Sequence, residues 1–265
     1  ADTPPMIHPT AVISPQARID PSAQIGPWCV VDGEVSIGPR TRLVSGVTVL
    51  GRVTIGADNL FGAHAVIGGE PHDPRYRQEP TEVIIGDRNQ VFEFVTIHRG
   101  TTRRCGQTVL GSDNMVMAYV HLAHDVVVGD HCRITSYSGI TGLCTIDDHA
   151  IISGMVGMQQ GVHVGAYAFI SGHTAITQDV LPYSIAYGTE GVTRLRGANL
   201  IGLKRHGFSR DDIQIARRLM AAFQGSARPF EQVLAEVEAG FDTQHPMVRR
   251  VLDFARGPSL RGVLR

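Results

Sequence analysis

Apolar residues recur along this chain at every sixth position. Ile7, Ile13, Ile19, Ile25, Val31, Ile37, Leu43, Val49, Ile55, Phe61 and Ile67 follow one another at that interval. The beat pauses, returns in phase at Ile85, Val91 and Ile97, slips by one residue, and then runs unbroken from Leu110 to Ile176. A period of six satisfies neither the 3.6-residue helix nor the two-residue alternation of an ordinary strand. It fits a parallel β-helix, in which each hexad supplies one short strand and three hexads close a triangular coil. The apolar residue points inward and stacks on its counterpart one coil later, about 4.8 Å away. Glycine and other small residues are expected at the corners, where the chain turns sharply.

Two segments interrupt the beat and are expected to loop out of the solenoid, residues 68–83 and 99–108. Long excursions from a rigid scaffold usually carry function. After Pro182 the hexads stop and helical signals begin. Ser209 followed by Asp212 predicts a capping box, leading into Ile213, Ala216, Leu219, Met220 and Phe223, with Gly225 as the stop. Pro229 opens a second helix through Val233, Leu234 and Val237, and residues 248–254 read as a third. The expected organisation is a β-helix over residues 1–190 and a helical domain over 191–265 that caps one end, as solenoids require.

Composition narrows the functional classes. Glycine accounts for 30 of 265 residues and charged residues for only 18%, against about 25% in an average domain. A net charge of −1 argues against a nucleic-acid-binding face. No apolar run reaches the roughly 18 residues of a membrane span. The opening segment Ala1–Pro5 has neither the basic nor the apolar block of a signal peptide. Cys29, Cys105, Cys132 and Cys144 form no C-x-x-C pair, so a cytoplasmic, reducing setting is expected.

The repeat also places the candidate chemistry. Ile97, Leu122, Ile140 and Met158 share one face, each a coil beyond the last. His98 follows the first anchor, His121 precedes the second, and His124 lies two past it; Gly142, Leu143, Gln159 and Gln160 follow on the next coils. His124 with Asp125 is a candidate base and orienting carboxylate. Three histidines at 98, 121 and 124 also allow a zinc reading, as in the trimeric hexapeptide-repeat carbonic anhydrases. A column of stacked turn residues without chemistry is the remaining alternative.

The ordered strings T-I-H-R-G (96–100), G-S-D-N (111–114), H-L-A-H-D (121–125), Q-D-V-x-P-Y (178–183) and G-L-K-R-x-G-F-S-R (202–210) resemble the UDP-N-acetylglucosamine O-acyltransferases of lipid A biosynthesis. The resemblance covers essentially the whole chain. It implies a homotrimer of left-handed parallel β-helices with active sites between subunits. It also implies transfer of an (R)-3-hydroxyacyl chain from acyl carrier protein to the 3-hydroxyl of UDP-N-acetylglucosamine, with no cofactor and no metal. By the same resemblance His124 is the general base, Asp125 orients it, and the backbone N–H of Gly142 stabilises the oxyanion. Asp73, His98, His121 and Gln160 match sugar-site positions, Asn199 and Arg205 match nucleotide positions, and Gly172 matches the ruler of acyl length. A basic set including Lys204, Arg210, Arg217 and Arg218 is a candidate face for the acidic carrier.

The sequence departs from the family at several polar positions. Leu143 and Gln159 stand where the family has histidine, Arg75 replaces a loop lysine, Ile201 an acidic residue, and His206 an arginine. Losing hydrogen-bond partners at a buried site costs about 1–3 kcal/mol each. Three further readings therefore stay open: an acceptor such as a 3-amino UDP-sugar, a β-helix that binds nucleotide-sugar without catalysis, and the metal-dependent hydration enzyme.

Overall fold

A computed structural model describes residues 6–188, 192–225 and 228–265. The opening segment 1–5 and the expected domain boundary at 190/191 lie outside the described residues. Among the described residues, three sheets form the walls of a prism, with eleven, nine and eight strands, all parallel except the last pair of the first sheet. Up to the last coil, each strand pairs with the third one after it, the strand on the same wall of the next coil. Partners normally lie 18 residues apart, as Asn59 does from Thr41. The separation becomes 30 across the first excursion and 25 across the second. An excess of two whole hexads preserves the phase; an excess of one hexad and one residue produces the slip seen in the sequence.

The inward ladder of the second sheet includes Val49, Ile67, Ile97, Leu122, Ile140 and Met158, none more than 1% exposed. Burying one such side chain contributes about 1.5–3 kcal/mol. With no turn of helix or hairpin to nucleate it, this stack defines the fold.

The corners differ from expectation. They are held largely by non-glycine residues in the left-handed region, among them Arg40 (φ 55°), Phe94 (φ 58°), Tyr119 (φ 63°) and Tyr137 (φ 63°). Such conformations cost about 1–3 kcal/mol each and persist where neighbouring coils over-determine them. At one corner the rings of Phe94, Tyr119 and Tyr137 stack with centroids 5.0 Å apart, within the favourable range for aromatic pairs. Glycine is needed for a different reason. A Cβ on Gly26 would run into the carbonyl of Val44 on the next coil, so close approach of neighbouring coils, rather than backbone freedom, selects it.

At another corner the turn backbone is satisfied by an asparagine ladder inside the prism. Asn59 Oδ1 accepts from both the backbone and the side-chain amide of Asn89, at 2.9 and 3.0 Å. Asn89 Oδ1 accepts from Asn114 N, and Asn114 Oδ1 from Cys132 N. Each side-chain amide in turn donates to the carbonyl of a glycine: Gly86, Gly111 or Gly129.

The solenoid ends where the strand Ser184–Tyr187 pairs parallel with Phe169–Ile170 and antiparallel with Arg194–Ala198. Among the described residues four helices follow: α1 (Leu200–Arg205), α2 (Arg210–Phe223), α3 (Phe230–Gly240) and α4 (Pro246–Arg256). The Ser209–Asp212 capping box forms in both directions. Helix α1 was not anticipated; its six residues are too few to show a periodic face. Leu203, Leu219, Phe223, Val233 and Val251 make a second core, packed beneath Tyr183 and Leu195. The C-terminal tail returns to the solenoid, where Leu264 N donates to Asp179 O at 2.8 Å.

Candidate active site

The second sheet alternates inward and outward as its pleat requires. Its outward ladder runs from His121 to Gly139, Gly157 and Ala175. A Cβ on either glycine would meet nothing within 4 Å, so an open trough of small residues extends along the prism from His121.

At the foot of that trough the chain turns from the second sheet to the third. His124 and Asp125 occupy the turn, 7% and 0% exposed. His124 Nδ1 lies 2.8 Å from Asp125 Oδ2. Asp125 adopts φ 61°, which swings its carboxylate back beneath its own neighbour, the geometry that adjacency alone does not guarantee. An ionised carboxylate only accepts hydrogen bonds, so Nδ1 carries the proton and Nε2 is left as the basic nitrogen. The buried carboxylate is satisfied from the second excursion: Thr101 N donates to Oδ1 at 2.9 Å and Thr101 Oγ1 to Oδ2 at 2.5 Å.

Gly142 lies one coil beyond His124, directly under the imidazole. A Cβ there would fall 2.5 Å from Nε2 and 2.9 Å from Nδ1. The residue has to be glycine because the ring occupies the space. Among the described residues, the Gly142 N–H donates to no backbone carbonyl. Leu143 takes the left-handed corner position at φ 66°, and Gln159 is exposed.

His98 and His121 stand on the same sheet with ring centroids 5.0 Å apart. Sequence reasoning missed a third imidazole, His72 of the first excursion, which packs edge-on against His98 at 4.2 Å. Burial, reinforced by the repulsion of His121 and His72, pushes the His98 pKa down to about 4. Burial and the neighbouring imidazoles of His72 and His124 also lower His121, whose Nδ1 lies 2.7 Å from Thr96 Oγ1. These are neutral hydrogen-bonding groups at pH 7. His98 Nδ1 is buried without a partner. Among the described residues no group of three or more His, Cys, Asp or Glu side chains is arranged to hold a metal ion.

Asp73 is buried beside this cluster. Arg75 grips it with two guanidinium nitrogens, Nε and Nη2, each at 3.0 Å, and Arg103 adds a longer contact at 3.4 Å. The Arg75 hydrogen bonds hold the Asp73 carboxyl well below the usual carboxylate range. Gln160 is half-buried, its carbonyl accepting from Arg261 Nε at 2.7 Å. Gly172 lies further along the solenoid, in the turn from the first sheet to the second; a Cβ there would come within 3.3 Å of Gly154 O, so a larger residue would press on its own chain.

Asn199 and Arg205 are not near His124. Asn199 caps α1, its Oδ1 accepting from Gly202 N and its Nδ2 donating to Tyr167 O, so both ends of its amide are committed. Arg205 lines a cavity of about 590 Å³ between α1 and the outer face of the first sheet, with Arg88, Arg133, His131, His149 and His206. His149 is stacked between His131 and Tyr167, at centroid distances of 4.8 and 4.6 Å. One chain therefore carries two candidate clusters on different faces of the prism.

Residues 107–142 match the family model for bacterial transferase hexapeptide repeats. Residues 179–264 match that of the second domain of UDP-N-acetylglucosamine O-acyltransferases. The fold superimposes on the UDP-N-acetylglucosamine acyltransferase of Francisella novicida with a TM-score of 0.94 and 34% identity, over 98% of this chain and 94% of that one. LpxA of Bacteroides fragilis gives 0.93 and 36%, over 98% and 100% of the two chains. LpxA of Acinetobacter baumannii gives 0.93 and 33% with the same coverage. With two family models, full-length superposition and a third of its residues identical to these enzymes, the chain belongs to the UDP-N-acetylglucosamine acyltransferase family and is an acyltransferase.

Proposed function

We propose that the chain moves an (R)-3-hydroxyacyl group from acyl carrier protein to the 3-hydroxyl of UDP-N-acetylglucosamine, the first step of lipid A biosynthesis. The observation that carries this reading is the buried His124–Asp125 pair, set over Gly142 at the foot of the trough. In the reaction, His124 Nε2 takes the proton of the sugar 3-hydroxyl as its oxygen attacks the thioester carbonyl carbon. The carbonyl oxygen becomes an oxyanion and accepts from the Gly142 N–H, a type of contact worth about 3–4 kcal/mol. Collapse breaks the C–S bond, and the imidazolium returns its proton to the departing thiolate of the carrier. Asp125 keeps the proton on Nδ1 and stabilises the imidazolium. No cofactor is needed.

The neutral imidazoles of His98 and His121 suit sugar hydroxyls, and Asp73 and Gln160 complete that end of the site. The trough over Gly139 and Gly157 suits the acyl chain, with Gly172 limiting its length. The distance between the His124 cluster and the Arg205 cavity favours a homotrimer, in which one subunit offers His124 and its neighbour offers Asn199 and Arg205 to the nucleotide. Carrier protein would approach along the basic residues of α1 and α2. Four free cysteines suit a cytoplasmic location.

A 3-amino UDP-sugar is the second reading, favoured by Leu143 and Gln159. An amine attacks a thioester more readily than a hydroxyl and tolerates a site with fewer polar partners. Mass spectrometry of a reaction in which UDP-N-acetylglucosamine and its 3-amino analogue compete for acyl carrier protein thioesters separates the two. The ester product is expected. Amide alone would transfer the assignment to the amino sugar, and no product would remove the catalytic reading.

A further inference from the structure

The second excursion leaves the solenoid at Arg99, returns at Gln107, and is closed at its neck. A Cβ on Gly100 would run into the backbone of Gly106 and Gln107, and Gly106 N donates to Thr101 O at 3.1 Å. The closure fixes one residue over the catalytic corner. Thr101 is 4% exposed and meets Asp125, 24 positions away, through both its N–H and its hydroxyl. Asp125 is fully buried, and a second threonine, Thr108, accepts from its backbone N–H at 2.9 Å. One carboxylate thus takes three donors: Thr101 N, Thr101 Oγ1 and His124 Nδ1.

From this geometry we infer that Thr101 is a positioning residue, a third member that fixes the Asp125 carboxylate and through it the tautomer and ring plane of His124. The inference rests on the reading of His124 as the base. Asp125 Oδ2 carries two of the donors, the Thr101 hydroxyl and His124 Nδ1. Without the hydroxyl Oδ2 keeps His124 Nδ1 as its one partner, so nothing else fixes that oxygen in the imidazole plane and the carboxylate tilts about its Thr101 N–H bond. The second excursion therefore acts on the base through Asp125. A buried anion is also costly unless it is hydrogen-bonded, which accounts for the tight neck.

The test uses the full chain with ¹⁵N-labelled histidine. Long-range ¹H–¹⁵N spectra of the free protein report which His124 nitrogen bears the proton, whether or not turnover is observed. The wild type and Thr101→Ser are expected to show a single Nδ1–H tautomer. Thr101→Val, which keeps the N–H bond and replaces the hydroxyl with a methyl that cannot donate, is expected to show a mixture. In the acyl-transfer assay Thr101→Val should lose about 10- to 100-fold in kcat, the usual size of an orienting-partner effect, with KM unchanged, and Thr101→Ser should restore it. Thermal melts confirm folding, and Thr101→Ala serves if valine does not fit. An unchanged His124 tautomer in a folded Thr101→Val or Thr101→Ala chain would overturn the inference. Absence of turnover in the wild type would instead overturn the acyl-transfer reading and leave the tautomer measurement to decide this one.

Discussion

Gly142→Ala isolates the geometry of the base from its chemistry. The new methyl carbon would stand 2.5 Å from His124 Nε2 and 2.9 Å from Nδ1, where carbon and nitrogen normally approach no closer than about 3.5 Å. The ring has to retreat by about 1 Å. It is tethered on the other side by the 2.8 Å bond to a carboxylate that is itself fully buried and held by Thr101. Retreat therefore stretches or breaks that bond and turns Nε2 away from the acceptor hydroxyl. Misplacing a reacting group by about 1 Å costs on the order of 100-fold in rate. The fold survives, because Gly142 has no left-handed backbone to strain and overpacking of this kind costs about 1–3 kcal/mol. Steady-state acyl transfer followed by mass spectrometry, beside thermal unfolding, measures both quantities. The expected result is a folded protein with kcat down about 100-fold and KM within a factor of three. A folded variant with near wild-type kcat would refute the placement of His124 as base.

Two further outcomes follow from the structure. Asn89→Leu removes the central rung of the ladder and leaves Asn114 N and Gly111 O without their partners; at about 1–3 kcal/mol for each buried group, urea unfolding should show a loss of roughly 2–5 kcal/mol. His98 makes stability depend on pH in a definite direction. Its pKa falls from 6.5 to about 4 on folding, so as pH drops the unfolded chain binds the proton first. Its contribution is whole above pH 6.5 and is lost between there and about pH 4, by up to about 3 kcal/mol at 1.4 kcal/mol per unit. His98→Phe should flatten that part of the stability profile.

Much of this architecture is legible in the sequence because one residue in six must be apolar for coils to stack. The hexads located the sheets, and their interruptions located both excursions. The capping box predicted the start of α2. What stayed hidden depends on where side chains point. The spacing placed His98, His121 and His124 near one corner, but only the left-handed turn at Asp125 couples that carboxylate to its neighbour, and only the closed neck brings Thr101 to it. His72 lies outside the repeat, so no periodicity could register it. The asparagine ladder did leave a trace. Asn59, Asn89 and Asn114 hold the same place in their hexads once both excursions are subtracted, each just after a left-handed corner residue (Asp58, Arg88 and Asp113). The expectation of glycine and other small residues at the corners met many bulky ones instead, because stacked rings and alternating charges, such as the Arg88–Asp113 bridge, support large side chains there.

The central claim is that the buried His124–Asp125 pair drives acyl transfer to a UDP-sugar. Its most direct test is the initial rate of transfer from an (R)-3-hydroxyacyl carrier protein to UDP-N-acetylglucosamine, for the wild type and for His124→Ala. General-base assistance contributes about 10²–10⁴-fold, so the variant should bind the nucleotide-sugar normally while its rate falls by at least 100-fold. A variant that folds, binds and still transfers at the wild-type rate would contradict the account.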